Sequence, residues 1–140
     1  MMKKVLGFYF VILLCSTAVV FSQNMISTQR WRCKNLAIIE NGRTGADVAN
    51  SVSYVNVNRY SDNGYQIIIN YNDGSSPDYL YLRNGNNRGN GIFYEASFSK
   101  NNQRVFDLGA FVSGGWSSTA ANNIIIYQNG RESIWITLIL

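Results

Sequence analysis

Histidine is absent from all 140 residues. Its absence removes Ser-His-Asp and Cys-His nucleophilic catalysis, together with the commonest side-chain ligand of transition metals. Cysteine occurs twice, at Cys15 and Cys33. Cys15 falls inside an apolar N-terminal run, so Cys33 is expected to stand alone, with no intrachain disulfide to make. A lone thiol with no base or cationic setting reads as a small buried apolar residue rather than a nucleophile. Proline occurs once, at Pro77, no Asn-x-Ser/Thr acceptor is present, and only 14% of residues are charged. The glycine-rich stretch from Arg83 to Gly91 lacks the closing Lys-Ser/Thr of a phosphate loop and reads as a flexible hairpin loop. Neither a cofactor nor a metal site is expected.

The N-terminus has the form of a cleavable secretory signal. Lys3 and Lys4 precede an apolar run from Val5 to Leu14 broken only by Gly7, and Val20 and Ser22 are small enough for the −3 and −1 sites. Cleavage is therefore expected before Gln23, leaving residues 1–22 as signal peptide. A retained anchor is the alternative, but Val5 to Phe21 sits at the lower edge of the roughly 17–25 residues that cross a bilayer, and no basic cluster follows it. Lipid attachment at Cys15 is disfavoured by Leu14 before it. The expected destination is the periplasm, the cell surface or the medium of a bacterium, with no integral span once the signal is removed. Without Lys3 and Lys4, ten basic residues face eight acidic ones, a balance too weak to drive nucleic-acid binding. Arg30, Arg32 and Lys34 alternate as one solvated strand face.

The remainder reads as strands punctuated by turns. Asn-Gly pairs at 41–42, 63–64, 84–85, 90–91 and 129–130 suit hairpins that need positive φ. Runs rich in Val, Ile, Tyr, Phe and Trp lie between them and place strands near 31–40, 52–61, 65–72, 79–83, 91–100, 104–113, 123–128 and 131–140. The expected fold class is all-β: a single-domain antiparallel meander of about eight strands over 31–140, closed as a barrel (lipocalin-like in outline) or folded as a β-sandwich, behind a flexible segment 23–30.

Three hairpins have a register legible from pattern. A loop at 62–64 sets Val57 opposite Ile69 and Val55 opposite Tyr71, with Gly64 left-handed. A loop at 101–103 sets Phe98, Ala96, Tyr94 and Ile92 opposite Phe106, Leu108, Ala110 and Val112, an arrangement that a one-residue slip would destroy. The Asn129-Gly130 turn sets Ile125 opposite Ile134 and Ile124 opposite Trp135.

Two surfaces are candidates for function. Tyr54, Asn56, Asn58 and Tyr60, with Gln66 and Asn70 opposite, point outward from one hairpin; aromatic faces stack on sugar rings and amides offer donor and acceptor side by side. Trp116, in the loop 113–118, is either a further stacking platform or a plug for the end of the sheet. The last hairpin is apolar on both faces, so Ile124, Trp135 and Ile139 are candidate contacts of a homo-oligomer built through 124–140. Glu95 and Asp107 fall as diagonal neighbours on one face, the only pair that could support glycosidase-type chemistry, and a solvated pair near Lys100 and Arg104 is the preferred reading. The sequence thus points to an exported, non-enzymatic binding module for a glycan or other uncharged polar ligand. The alternatives are an interaction or self-assembly module using the C-terminal hairpin, and a carrier holding a small apolar ligand inside a barrel.

Overall fold

The structure, a computed structural model, describes residues 24–116 and 119–140. The expected signal peptide and its cleavage site lie outside the described residues. Nine strands follow in chain order: β1 Met25–Glu40, β2 Arg43–Thr44, β3 Val52–Tyr60, β4 Tyr65–Tyr71, β5 Asp78–Asn87, β6 Ile92–Lys100, β7 Gln103–Ser113, β8 Asn122–Gln128 and β9 Arg131–Ile139. A 3-10 turn at Ala49–Ser51 leads into β3. Each strand from β3 to β9 pairs antiparallel with the next, and β1 joins both ends. Its first half, Met25 to Trp31, pairs with β3, and its second half, Arg32 to Ile38, pairs with β9. The result is a closed eight-stranded barrel with β2 as an extra strand. Closure leaves the barrel itself without a free edge, which excludes the sandwich.

Residues 25–30 are therefore strand rather than a flexible segment. All six side chains are exposed, so no alternation betrays the strand in sequence; it exists because β3 supplies its hydrogen-bond partners. The Arg83–Gly91 stretch is likewise mostly strand, and only Arg88 to Gly91 turns.

Strand alternation fills the interior. Val55, Ile67, Leu80, Ala110, Ile124 and Leu138 are completely buried, with Trp31, Ile69, Ile126 and Ile136 at 1% exposure. These side chains form one contiguous core, as expected where eight strands leave room for packed side chains and little else.

The registers differ from expectation in informative ways. Val57 pairs with Ile67 and Val55 with Ile69, two residues from the expected partners, so the facing is unchanged. Asn63, not Gly64, takes the left-handed conformation at φ 64°. Ile92, Tyr94 and Ala96 pair with Val112, Ala110 and Leu108 as expected. Beyond them a bulge intervenes: Phe98 pairs with Val105, and Phe106 and Asp107 together oppose Ser97. Asp107 absorbs the extra residue at φ 60°, Phe106 is turned outward to 61% exposure, and the hairpin closes on Asn101 and Asn102 alone. In the last hairpin a bulge between Ile126 and Tyr127 sets Ile125 opposite Trp135 and Ile124 opposite Ile136.

Candidate functional site

Side chains from six strands meet in one row on the outer wall. Thr28, Asn58, Gln66, Tyr81 and Ser97 are successive cross-strand partners on β1, β3, β4, β5 and β6. Thr28 Oγ1 donates to Asn58 Oδ1 at 2.6 Å, Asn58 Nδ2 to Gln66 Oε1 at 3.2 Å, and Gln66 Nε2 to the Tyr81 hydroxyl at 3.4 Å. The Tyr60 hydroxyl also donates to Gln66 Oε1, at 3.1 Å. At the far end Arg104 of β7 lies over the Tyr81 ring at 4.4 Å and donates from Nε and Nη2 to Ser97 Oγ at 3.2 and 3.0 Å. Ser97 is thereby buried although it points away from the core.

The row runs into a cleft of about 490 Å³ above the β6–β7 bulge. Its aromatic walls are Tyr81 and Phe106, with Arg104 also within 5.0 Å of the Phe106 ring. Arg83, Glu95, Arg104 and Asp107 line it, two cations against two carboxylates. Asn84 Nδ2 donates to Glu95 Oε2 at 2.8 Å, whereas the side chains of Asp107 and Arg83 make no hydrogen bond or ion pair among the described residues. The bulge creates this arrangement, because it lifts Phe106 out of the core and swings Asp107 beside Ser97. A larger hollow of about 710 Å³ lies under the β1–β2 hairpin. It has no aromatic wall, so the smaller cleft has the better recognition chemistry.

The expected polar surface is partly assembled. Asn58, Tyr60 and Gln66 are bonded together as above. Tyr54, Asn56 and Asn70 share their face without joining them: Arg30 lies 4.1 Å over the Tyr54 ring, and Asn70 Nδ2 donates to the Tyr54 and Ile68 carbonyls at 3.5 and 3.4 Å. Trp116 is elsewhere. It stands at φ 57° and closes the barrel end, and its backbone N–H donates to Asn122 Oδ1 at 2.6 Å. Its indole N–H lies beside the Tyr94 hydroxyl, whereas the indole N–H of Trp31 and Asn122 Nδ2 are buried without an acceptor among the described residues. Tyr65 and Tyr94 pack beside it, and burial raises both phenols above their ordinary range.

The candidate oligomer contacts divide. Ile124 is fully buried and faces the core, because the bulge between Ile126 and Tyr127 shifts its partner from Trp135 to Ile136. Trp135 remains outward at 42% exposure, in line with Phe93, Phe111 and Ile125 across β6 to β9. Ile139 is half-buried on the wall beside Arg32. Asn123 and Thr137, hydrogen-bonded to each other at 2.9 Å, form a polar row immediately next to this line. Cys33 faces the interior, where burial, and then Asp47, pushes its thiol up to about 11. Among the described residues no helix is long and apolar enough to cross a membrane, and no group of acidic or cysteine side chains has metal-site spacing.

The sequence did not single out Thr28, Tyr81 or Arg83; Phe106 was expected in the core, and Arg104 only as a neighbour of the Glu95–Asp107 pair. The signal for Tyr81 was its place opposite Gln66, legible only with the β4–β5 register in hand. Compared with protein-family models, curated proteins and solved structures, the chain matches none.

Proposed function

We propose that the protein is an exported, non-enzymatic binding module whose outer wall takes an uncharged polar ligand of the carbohydrate class. One observation supports this above others: the charge-balanced cleft beside Tyr81 and Phe106, into which the hydrogen-bonded row leads. Carboxylates accept from vicinal hydroxyls, guanidinium groups donate to them, and an aromatic face stacks on the apolar side of a sugar ring. Equal numbers of opposite charges give no preference for an ionic ligand. Glu95 is engaged by Asn84 rather than poised for proton transfer, and histidine is absent, so binding accounts for the cleft better than catalysis does.

The interaction-module reading has Trp135 in its favour. The outward apolar line is one residue row deep, however, with a footprint on the order of 100 Å² from ordinary strand spacings. A standard interface buries about 800 Å² per partner. The internal-carrier reading requires room that the packed core does not leave.

The test is affinity electrophoresis on neutral polysaccharides, with Phe106→Ala and Asp107→Asn beside the wild type. Retention of the wild type and loss in both variants is expected; equal retention of all three would remove the cleft from the reading. Export is tested separately by mass analysis of secreted material, expected to begin at Gln23.

A further inference from the structure

We propose that the ligand is an extended, uncharged polysaccharide chain lying across the strands along the Thr28–Arg104 row, with the cleft holding only one end of the bound stretch. This rests on the carbohydrate reading above and concerns the form of ligand recognised.

The argument begins with the shape of the polar array. A site for a single terminal sugar gathers its donors and acceptors around one point. Here they are strung out, one per strand, from β1 to β7. Five steps at the ordinary inter-strand distance make a track of about 24 Å, several sugar rings long. From Thr28 to Tyr81 the members bond to one another and Arg104 holds Ser97, which keeps them against the wall, all five from Thr28 to Ser97 being half-buried or buried except Thr28 itself. Flatness and length suit a chain.

Polarity gives the track a direction. Thr28 donates to Asn58, Asn58 to Gln66, and Gln66 to Tyr81, three bonds pointing the same way, while at the far end Arg104 donates back to Ser97. Such a chain polarises cooperatively and leaves the proton of its last member, the Tyr81 hydroxyl, without an acceptor among the described residues. That proton lies where the row meets the cleft. Aromatic rings also recur along the track. Tyr60 flanks it at β3, and Tyr81 sits at β5 with Tyr79 stacked beside it, centroids 6.4 Å apart and planes 16° apart.

Charge supports a neutral chain. Thr28, Asn58, Gln66 and Tyr81 add no Asp, Glu, Lys or Arg to the row, and the four charges at the cleft balance. A polyanion laid along the row would meet Glu95 and Asp107 at its end, with only Arg83 and Arg104 to set against them.

The experiment is calorimetric titration of the full exported protein with length series of cellulose-, xylan-, mannan- and amylose-derived oligosaccharides, each from the monosaccharide upward. Affinity for one series should climb with length and level off once the oligomer covers about 24 Å. Gln66→Ala, in mid-track and outside the cleft, should weaken the long oligomers about tenfold, the equivalent of one lost hydrogen bond. It should leave the shortest binders unchanged. Thr28→Val, an isosteric change at the far end, reads the same difference should Gln66→Ala fail to fold. Affinity independent of length would overturn the extended-chain proposal while leaving a cleft specific for terminal sugars. No heat with any sugar in any series would overturn the carbohydrate reading itself.

Discussion

The Trp116 indole stacks on the Tyr65 ring, with centroids 4.7 Å apart and planes inclined by 24°. Trp31 meets the same indole edge-on at 6.3 Å, so the candidate stacking platform belongs to an aromatic plug. Trp116→Ala should therefore lower stability by about 2–4 kcal/mol, as loss of a half-buried ring from a packed cluster does. Polysaccharide retention of the folded variant should persist. Denaturant titration and affinity electrophoresis together decide it: lost retention at an unchanged unfolding midpoint would relocate the site to this loop.

Asp107 holds the bulge at φ 60° in mid-strand. A β-branched side chain resists that conformation and glycine does not. Asp107→Val should cost about 1–2 kcal/mol, whereas Asp107→Gly should stay within about 0.5 kcal/mol of the wild type. Melting curves of the two variants would show equal losses if the bulge lay elsewhere.

Two left-handed glycines should behave unequally. Gly130, at φ 74°, has open space around a would-be Cβ, and alanine there meets only the left-handed penalty of about 1–2 kcal/mol. Gly114, at φ 103°, would drive a Cβ into the Ala121 carbonyl and to 2.8 Å from Asn122 Oδ1. Gly114→Ala should cost about 1–3 kcal/mol more than Gly130→Ala, by overpacking against backbone. Matching unfolding midpoints would place the chain before Trp116 on another path.

Alkali should destabilise the barrel. Tyr71, half-buried, donates to the buried Asp78, and burial first, then that bond, raises its phenol well above the ordinary range. Tyr65 and Tyr94 are raised by burial too. The folded state keeps protons that the unfolded chain releases, so stability falls as pH rises past about 10. Cys33, pushed up to about 11, adds to the same slope from about pH 9. Denaturation midpoints measured from neutral pH upward should decline over this window and decline less in Tyr71→Phe. A flat profile would contradict the burial of these groups.

Strand positions were legible because asparagine and glycine mark the turns and apolar side chains alternate between them. Facing survived at Val57, where the error was two residues and parity decides the core, but not at Phe106 or Ile124, where a bulge shifts the register by one. Bulges were not legible. Nothing in Phe106-Asp107 announces an extra residue, as aspartate tolerates positive φ without being specific to it, and this one bulge makes the cleft. The first half of β1 was hidden for a different reason: with every side chain in 25–30 exposed, its strand state is written in β3. The Asn58–Gln66 part of the row could be seen within one hairpin, whereas Tyr81 and Arg104 join it only through registers set by the closed barrel.

That β1 serves two partners has a kinetic meaning. Its second half must find β9, so Arg32 meets Ile139 across nearly the whole barrel sequence. Long-range closure of this kind is slow, because loop entropy is lost before the contacts repay it. Until β9 has been synthesised, one edge of β8 and the second half of β1 lack their partner, and a nascent chain cannot lock into a finished barrel. A protein that assembles only when complete remains threadable during synthesis, the state in which a chain can still pass through a narrow pore.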